Sequence, residues 1–261
     1  LFAVPFGPLL AWKRGDLLAA AQRLYFAIGA AMLTILIAVA LTSGTRILAA
    51  LGFGLAVWLM AGALTDLFVR ANFAKVGWRT GLARMRGLPR SAFGTVLAHF
   101  GLGVTVLGVI TASAFQTETV TAMRAGQTVN AGGYEVRYEG AQQRQGPNYE
   151  EQVGTFTLRR DGLDAGMIES AKRFYPARQM PTTEAGIHTR WFSQLYISLG
   201  DPSPDGASIV VRVWWKPLIT LIWIGAIFMA VGGTVSLFDR RLRVGAPARS
   251  RKRQLATGAE A

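Results

Sequence analysis

A chain of 261 residues with 51% hydrophobic and only 16% charged side chains falls below the roughly 25% charge usual in soluble domains, and so reads as a membrane protein. It has no cysteine, which excludes disulfides, cysteine-ligated metals and a thiol nucleophile within it. The net charge of +13 does not mark a nucleic-acid binder, because the excess flanks apolar runs: residues 115–216 hold 11 basic and 11 acidic side chains, and the rest of the chain holds 17 and 4.

Residues 1–16 (LFAVPFGPLLAWKRGD) are punctuated by Pro and Gly and end in Lys13, Arg14 and Asp16. They read as the cytoplasmic end of a preceding span running into a basic loop. The chain begins at Leu1 rather than Met, and no basic-then-apolar signal peptide precedes the first span. It is therefore expected to be a fragment or a processed piece of a longer protein. Residues 17–114 are expected to hold three transmembrane helices. The first is Leu17–Leu41, uninterrupted from Leu24 onward, with Arg23 reaching back to the interface. A tight link, Thr42–Arg46, leads into the second, Ile47–Val69, near whose end Asp66 lies close to Arg70 as an interfacial pair.

Residues 70–90 carry Arg70, Lys75, Arg79, Arg84, Arg86 and Arg90 and no acid, which marks a cytoplasmic loop by the positive-inside rule. The third span, Ser91–Ala114, is free of charge and long enough for a hydrocarbon core of roughly 30 Å. His99 lies about eight residues into it, roughly 10 Å below the cytoplasmic boundary at 1.5 Å per residue. Gly94, Ala98, Gly101 and Gly103 surround it, and small residues let another helix or a flat ligand approach the backbone.

Residues 115–216 form the one sizeable water-soluble region and lie on the far side of the membrane from the basic loop. Strand signals fall at Glu118–Arg124, Tyr134–Glu139, Val153–Arg160 before an Asp161-Gly162 turn, Glu169–Tyr175, Gln194–Gly200 and Ser208–Trp215. Short strands with Gly and Pro turns predict a small antiparallel sandwich or open barrel. Residues 217–239 contain a fourth span, Leu218–Phe238. Residues 240–261 form a basic cytoplasmic tail with Arg240, Arg241, Arg243, Arg249, Arg251, Lys252 and Arg253, disordered at its end by composition.

An ionisable group inside a span is a functional candidate. The imidazole of His99 suits haem-iron ligation, a proton relay or a hydrogen bond between helices, and its position alone does not choose among them. The second histidine, His188, falls in the extramembrane region, too far across the bilayer to share an iron with His99, and reads as a solvated surface residue. Arg173 and Arg178 can meet an anionic group such as a propionate or pair with local acids. Trp191, Trp214, Trp215 and Trp223 cluster toward the outer face, where an interfacial aromatic belt accounts for the last three. Gly101-Leu102-Gly103 reads as helix packing rather than a dinucleotide loop, and no Walker, HExxH, GxSxG or zinc spacing occurs.

Five stretches, in order, carry a resemblance that covers essentially the whole chain. They are GPLLAWKRGD at 7–16, LAHFGLGVTVLGV at 97–109, FYPARQMPTTEAGI at 174–187, QLYISLGD at 194–201 and KPLITLIWIGAIFMAVGGTVSLFDRR at 216–241. Together they resemble the C-terminal part of CcmF, the haem lyase component of bacterial cytochrome c maturation, and of its NrfE relatives. The resemblance implies a membrane α-helical bundle of four complete transmembrane helices, multi-pass in the bacterial inner membrane, with an inserted all-β periplasmic domain. It implies an enzyme that takes haem from the chaperone CcmE and, with CcmH, attaches it to the CXXCH thiols of apocytochrome c. It also implies a haem b held within the membrane by two histidines, of which His99, in its AHxG setting, matches the second. The first, the tryptophan-rich WWD segment and two periplasmic haem-ligating histidines belong to the family's earlier half. His188 matches none of them, so this piece alone is not expected to be a competent lyase. Its expected partners are the N-terminal part of the same protein, CcmE, CcmH, apocytochrome c and membrane lipid. Two other readings stay open: a non-catalytic membrane scaffold whose β-domain recruits assembly partners, and a proton-coupled transporter, which the lack of repeated spans disfavours.

Overall fold

In the computed structural model, residues 1–10, 16–204 and 206–239 are described; the predicted basic tail and the Lys13–Arg14 end of the first loop lie outside them. A 3-10 helix, Val4–Leu9, is followed by helices α1 (Leu17–Arg23), α2 (Tyr25–Leu41), α3 (Ile47–Ala71), α4 (Phe73–Arg86) and α5 (Arg90–Ala114). Nine strands follow, then α6 (Leu221–Leu237).

The first predicted span is not one straight helix. Asp16 caps α1, its carboxylate accepting from the Ala19 N–H at 3.0 Å. The helix stops at Leu24, and α2 leaves at 59° to it. Leu24 is wholly buried there, in a cluster with Ala27, Ala31, Trp58 and Leu59, so the break points an apolar side chain inward. The first residues also differ from the predicted end of a span. They fold into the 3-10 helix laid against α3, with Phe2 stacked on Trp58 at 5.3 Å and Pro5 over Gly62.

Among the described residues, α3 and α5 are long and apolar enough to cross a membrane, and the bent α1–α2 pair makes a third candidate. The fourth predicted span is helical only over the 17 residues of α6, about 25 Å at 1.5 Å per residue, and is short of a complete crossing by length. The predicted loop at residues 70–90 is largely helical. Asn72 adopts a left-handed conformation (φ 59°) that ends α3 and starts α4, which bends again at Gly77.

The helices meet through glycines. A Cβ at Gly101 would lie 2.6 Å from the Gly225 carbonyl oxygen, and Gly94 and Gly232 face each other's backbone in the same way. Gly103 presses on Ala56 and Met60 of α3, and Gly52 lies under Ile110. Thus α5 sits between α3 and α6.

The region beyond α5 is a β-sandwich, as predicted, and not a barrel. One sheet has the order β1 (Thr117–Met123), β9 (Ile209–Lys216), β8 (Ser193–Pro202), β7 (Gly186–Arg190). The other runs β2 (Thr128–Ala131), β3 (Tyr134–Gln145), β4 (Glu150–Arg160), β5 (Leu163–Tyr175), β6 (Met180–Glu184). Alternate residues of the long strands point inward, including Val136, Phe156, Leu158, Ile197, Val211 and Val213. Two tight hairpins need left-handed residues: Asp161-Gly162 joins β4 to β5 with φ 53° and 76°, and Gly132-Gly133 joins β2 to β3 with φ 60° and 78°. Strands β1 and β9 are antiparallel neighbours, with Thr117 opposite Trp215. The antiparallel pairing of α5 with α6 therefore continues directly into the sandwich, which is mounted on the bundle by two adjacent strands.

Candidate functional site

Within α5, Gly103 and Ile110 mark the face turned to α3, and His99 lies one turn before Gly103 on that side. His99 is half-buried, and its imidazole has no hydrogen-bond partner among the described residues. The small residues around it do not form an open slot. Gly94, Ala98 and Gly101 are covered by Gly232 and Gly225 of α6, and Gly103 by α3, so other helices take the close approach. The predicted helix-packing role of Gly101-Leu102-Gly103 is what is observed.

Asp66, on the facing helix, is only 2% exposed. The predicted pair with Arg70 is present, the guanidinium Nε donating to Oδ1 at 2.8 Å. The pair is not a surface one, however: the other oxygen, Oδ2, is buried without a hydrogen-bond partner among the described residues. The carboxylate and the His99 imidazole interact electrostatically across the α3–α5 seam. Reading Asp66 from its position near Arg70 found the pair and missed the burial. A cleft of about 760 Å³ opens at the α4–α5 turn, lined by Arg86, Arg90, Phe93 and Phe238, away from His99.

An unpartnered imidazole in a half-buried, apolar setting has the donor chemistry to hold a haem iron through one ring nitrogen. In this respect His99 fits the group. Among the described residues, no cluster of three or more His, Asp or Glu side chains forms another metal site.

The other candidates are engaged elsewhere. His188, on β7, is not a freely solvated residue: its ring packs edge-on to Tyr134 at 5.5 Å. Burial, then the nearby Arg190, holds its pKa below the ordinary histidine value. Arg173 is committed to Glu151, to which its Nε donates at 2.7 Å, and it also pairs with Glu184 and stacks on Tyr149. Glu151, 2% exposed, receives a second bond from Arg144 at 2.6 Å, and Arg144 reaches Glu169. These bonds, that from Arg173 first, hold the Glu151 carboxyl below the usual range. Arg178 stays exposed in the turn before β6. Of the predicted outer-face tryptophans, Trp191 and, within the expected belt, Trp223 are exposed, whereas Trp215 turns inward over Gly132 and packs on the sandwich core. Successive residues of β9 face opposite sides, so Trp214 and Trp215 cannot share one role.

Residues 114–217 match the family described as CcmF C-terminal beta-sandwich. The chain is 56% identical over 249 residues to the cytochrome c-type biogenesis protein CycK of Rhizobium meliloti, covering 95% of this chain and 37% of that protein. It is 48% identical over 260 residues to CycK of Bradyrhizobium diazoefficiens, covering 100% and 39%. With CcmF of Pseudomonas aeruginosa the identity is 35% over 200 residues, covering 77% and 30%. A solved structure of cytochrome c heme lyase CcmF shares the fold, with a TM-score of 0.62 at 19% identity over 90% of this chain and 37% of that one. The chain thus spans less than two-fifths of the length of these curated relatives.

Proposed function

Because this chain belongs to the CcmF family of cytochrome c-type biogenesis proteins and corresponds to its C-terminal part, we propose that it supplies His99, which would hold a haem iron, and the periplasmic sandwich of a membrane haem lyase. The observation that carries this reading is the His99 imidazole: half-buried between helices, with no hydrogen-bond partner among the described residues.

In this reading the bent α1–α2 pair, α3, α5 and α6 all traverse the inner membrane. The basic face of residues 70–90 stays in the cytoplasm and the sandwich lies in the periplasm. The shortness of α6 is made up by its apolar lead-in, Leu218–Thr220, which forms a turn hydrogen-bonded into the helix, Leu221 N–H to Leu218 O at 3.1 Å. The N-terminal part of the same protein would supply the second histidine. A haem b at this site would supply one-electron chemistry, keeping transferred haem reduced. The chain's own residues do three things. His99 binds, the α3–α5–α6 seam orients it, and the glycine contacts exclude water from its base. CcmE as haem donor, CcmH and the CXXCH thiols of apocytochrome c are the partners this places at the periplasmic side.

The test is the reduced-minus-oxidised visible spectrum of the full-length protein carrying His99→Gly. We expect loss of the b-type signal and its partial return when imidazole is added to fill the vacated space. An unchanged spectrum would remove His99 as a ligand and leave a non-catalytic scaffold whose sandwich recruits assembly partners.

A further inference from the structure

Polar groups buried in a span are expensive to leave unpaired, and each such group calls for a physical reason. Asp66 is the carboxylate of α3 in this position. One oxygen is fixed by Arg70 at 2.8 Å and the other is buried with no hydrogen-bond partner among the described residues. A simple interfacial pair needs neither the burial nor the spare oxygen. Across the seam, held close by the Gly103 contact with Ala56 and Met60, stands an imidazole that also lacks a hydrogen-bond partner among the described residues.

We propose that Asp66 is a positioning residue for His99, its free Oδ2 accepting the N–H of one imidazole nitrogen so that the other nitrogen is presented to iron. The inference rests on haem ligation by His99. A metal-binding histidine ordinarily donates its second ring N–H to a carboxylate, carbonyl or water, which fixes tautomer and orientation. Asp66 meets that need from a helix rather than a loop, and Arg70 restrains its rotation. Arg70 also sets how much negative charge the imidazole feels. The pair is not closed in this structure, so the role requires the His99 side chain to reorient toward Oδ2 when iron is bound. An anionic partner makes imidazole a stronger donor and favours the ferric state, so it lowers the haem potential.

The experiment is a spectroscopic redox titration of the b-type haem in the full-length protein, comparing wild type, Asp66→Asn and Arg70→Gln. Asp66→Asn keeps size and an acceptor but removes charge, and should retain the haem while raising its midpoint potential. Arg70→Gln leaves the carboxylate less neutralised and should lower it. If the potential of Asp66→Asn is that of wild type, or if both variants shift the same way, the positioning role is wrong and Asp66 serves only to pair with Arg70. Should Asp66→Asn fail to accumulate, Asp66→Glu keeps the charge but displaces the oxygen. Altered g-values in its ferric electron paramagnetic resonance spectrum support the proposal, and identical ones overturn it. The His99→Gly spectrum separates the two levels. A haem unchanged in that variant overturns ligation and positioning together, whereas a lost haem with an unmoved Asp66→Asn potential overturns positioning alone.

Discussion

The helical seam and the β-sandwich solve opposite packing problems. In the seam, backbones touch through Gly94, Gly101, Gly225 and Gly232, and an ionisable pair faces across α3 and α5 with open hydrogen-bonding capacity. In the sandwich, the contacts are between large side chains, and Glu151, a carboxylate buried as deeply as Asp66, has both oxygens engaged by arginines. Lipid supplies no hydrophobic drive between helices, so close approach must come from small residues. Water supplies that drive in the sandwich, where buried charge is tolerated because it is paired. Unpaired polar capacity is therefore informative in the seam, and the paired network of the sandwich is structural.

The contrast is broken most severely at Gly101. Replacing it with leucine drives a side chain into the Gly225 carbonyl and the backbone at Met229, where no flexible side chain alone can yield. An overpacked contact of this kind costs about 3 kcal/mol. The expected outcome is a several-fold fall in folded full-length protein recovered from membranes, with loss of the haem signal even though His99 is intact. The same change at Gly29, which has open space around it, should leave both unchanged. Equal recovery of the two variants would show that the seam is not held by backbone contact.

A smaller effect is expected in the sandwich. Glu151→Gln keeps the shape but leaves Arg144 and Arg173 without their shared carboxylate, at about 2 kcal/mol for charge-assisted bonds. Hydrogen exchange of the β4 and β5 amides should rise about 30-fold by that figure, with the haem spectrum unmoved. Because Glu151 is held below the usual carboxylate range, its contribution is fully present above about pH 4.3. It is lost as pH falls through the depressed folded value. Wild type and Glu151→Gln should thus converge in acid and differ at neutral pH.

These two regions were also unequally legible from sequence. Apolar runs gave the extents of α3 and α5 nearly to the residue, and the alternation in Glu118–Arg124 and Tyr134–Glu139 gave β1 and the start of β3. Three strands escaped: β2, β6 and β7 are four or five residues long, too short for alternation to stand out. The bend at Leu24 was invisible, because a leucine that ends a helix by turning inward looks like any other in an apolar run. Helix α4 read as loop because its cations and the break at Gly77 leave no sustained apolar stripe. At the candidate site, His99 was evident as the histidine of a span. What surrounds it was only partly so: small residues leave room for either another helix or a flat ligand, and other helices take it. The depth of Asp66 depends on α5 being packed against α3, which no local pattern encodes.

The smallest expected effect tests whether a histidine in the sandwich behaves as structure rather than site. His188 is half-buried against Tyr134, and burial, then Arg190, lowers its pKa. The unfolded chain takes up a proton near pH 6.5 that the folded one resists, so protonation favours unfolding. Local stability around β7 and β8 should therefore be constant at higher pH and fall as pH drops below about 6.5. His188→Gln should flatten that slope, read by hydrogen exchange of the β7 and β8 amides at pH 7.5 and 5.5, and leave the haem signal and its potential as in wild type. A shifted haem signal in His188→Gln would instead tie the sandwich to the cofactor, and the division between a functional seam and a structural sandwich would have to be redrawn.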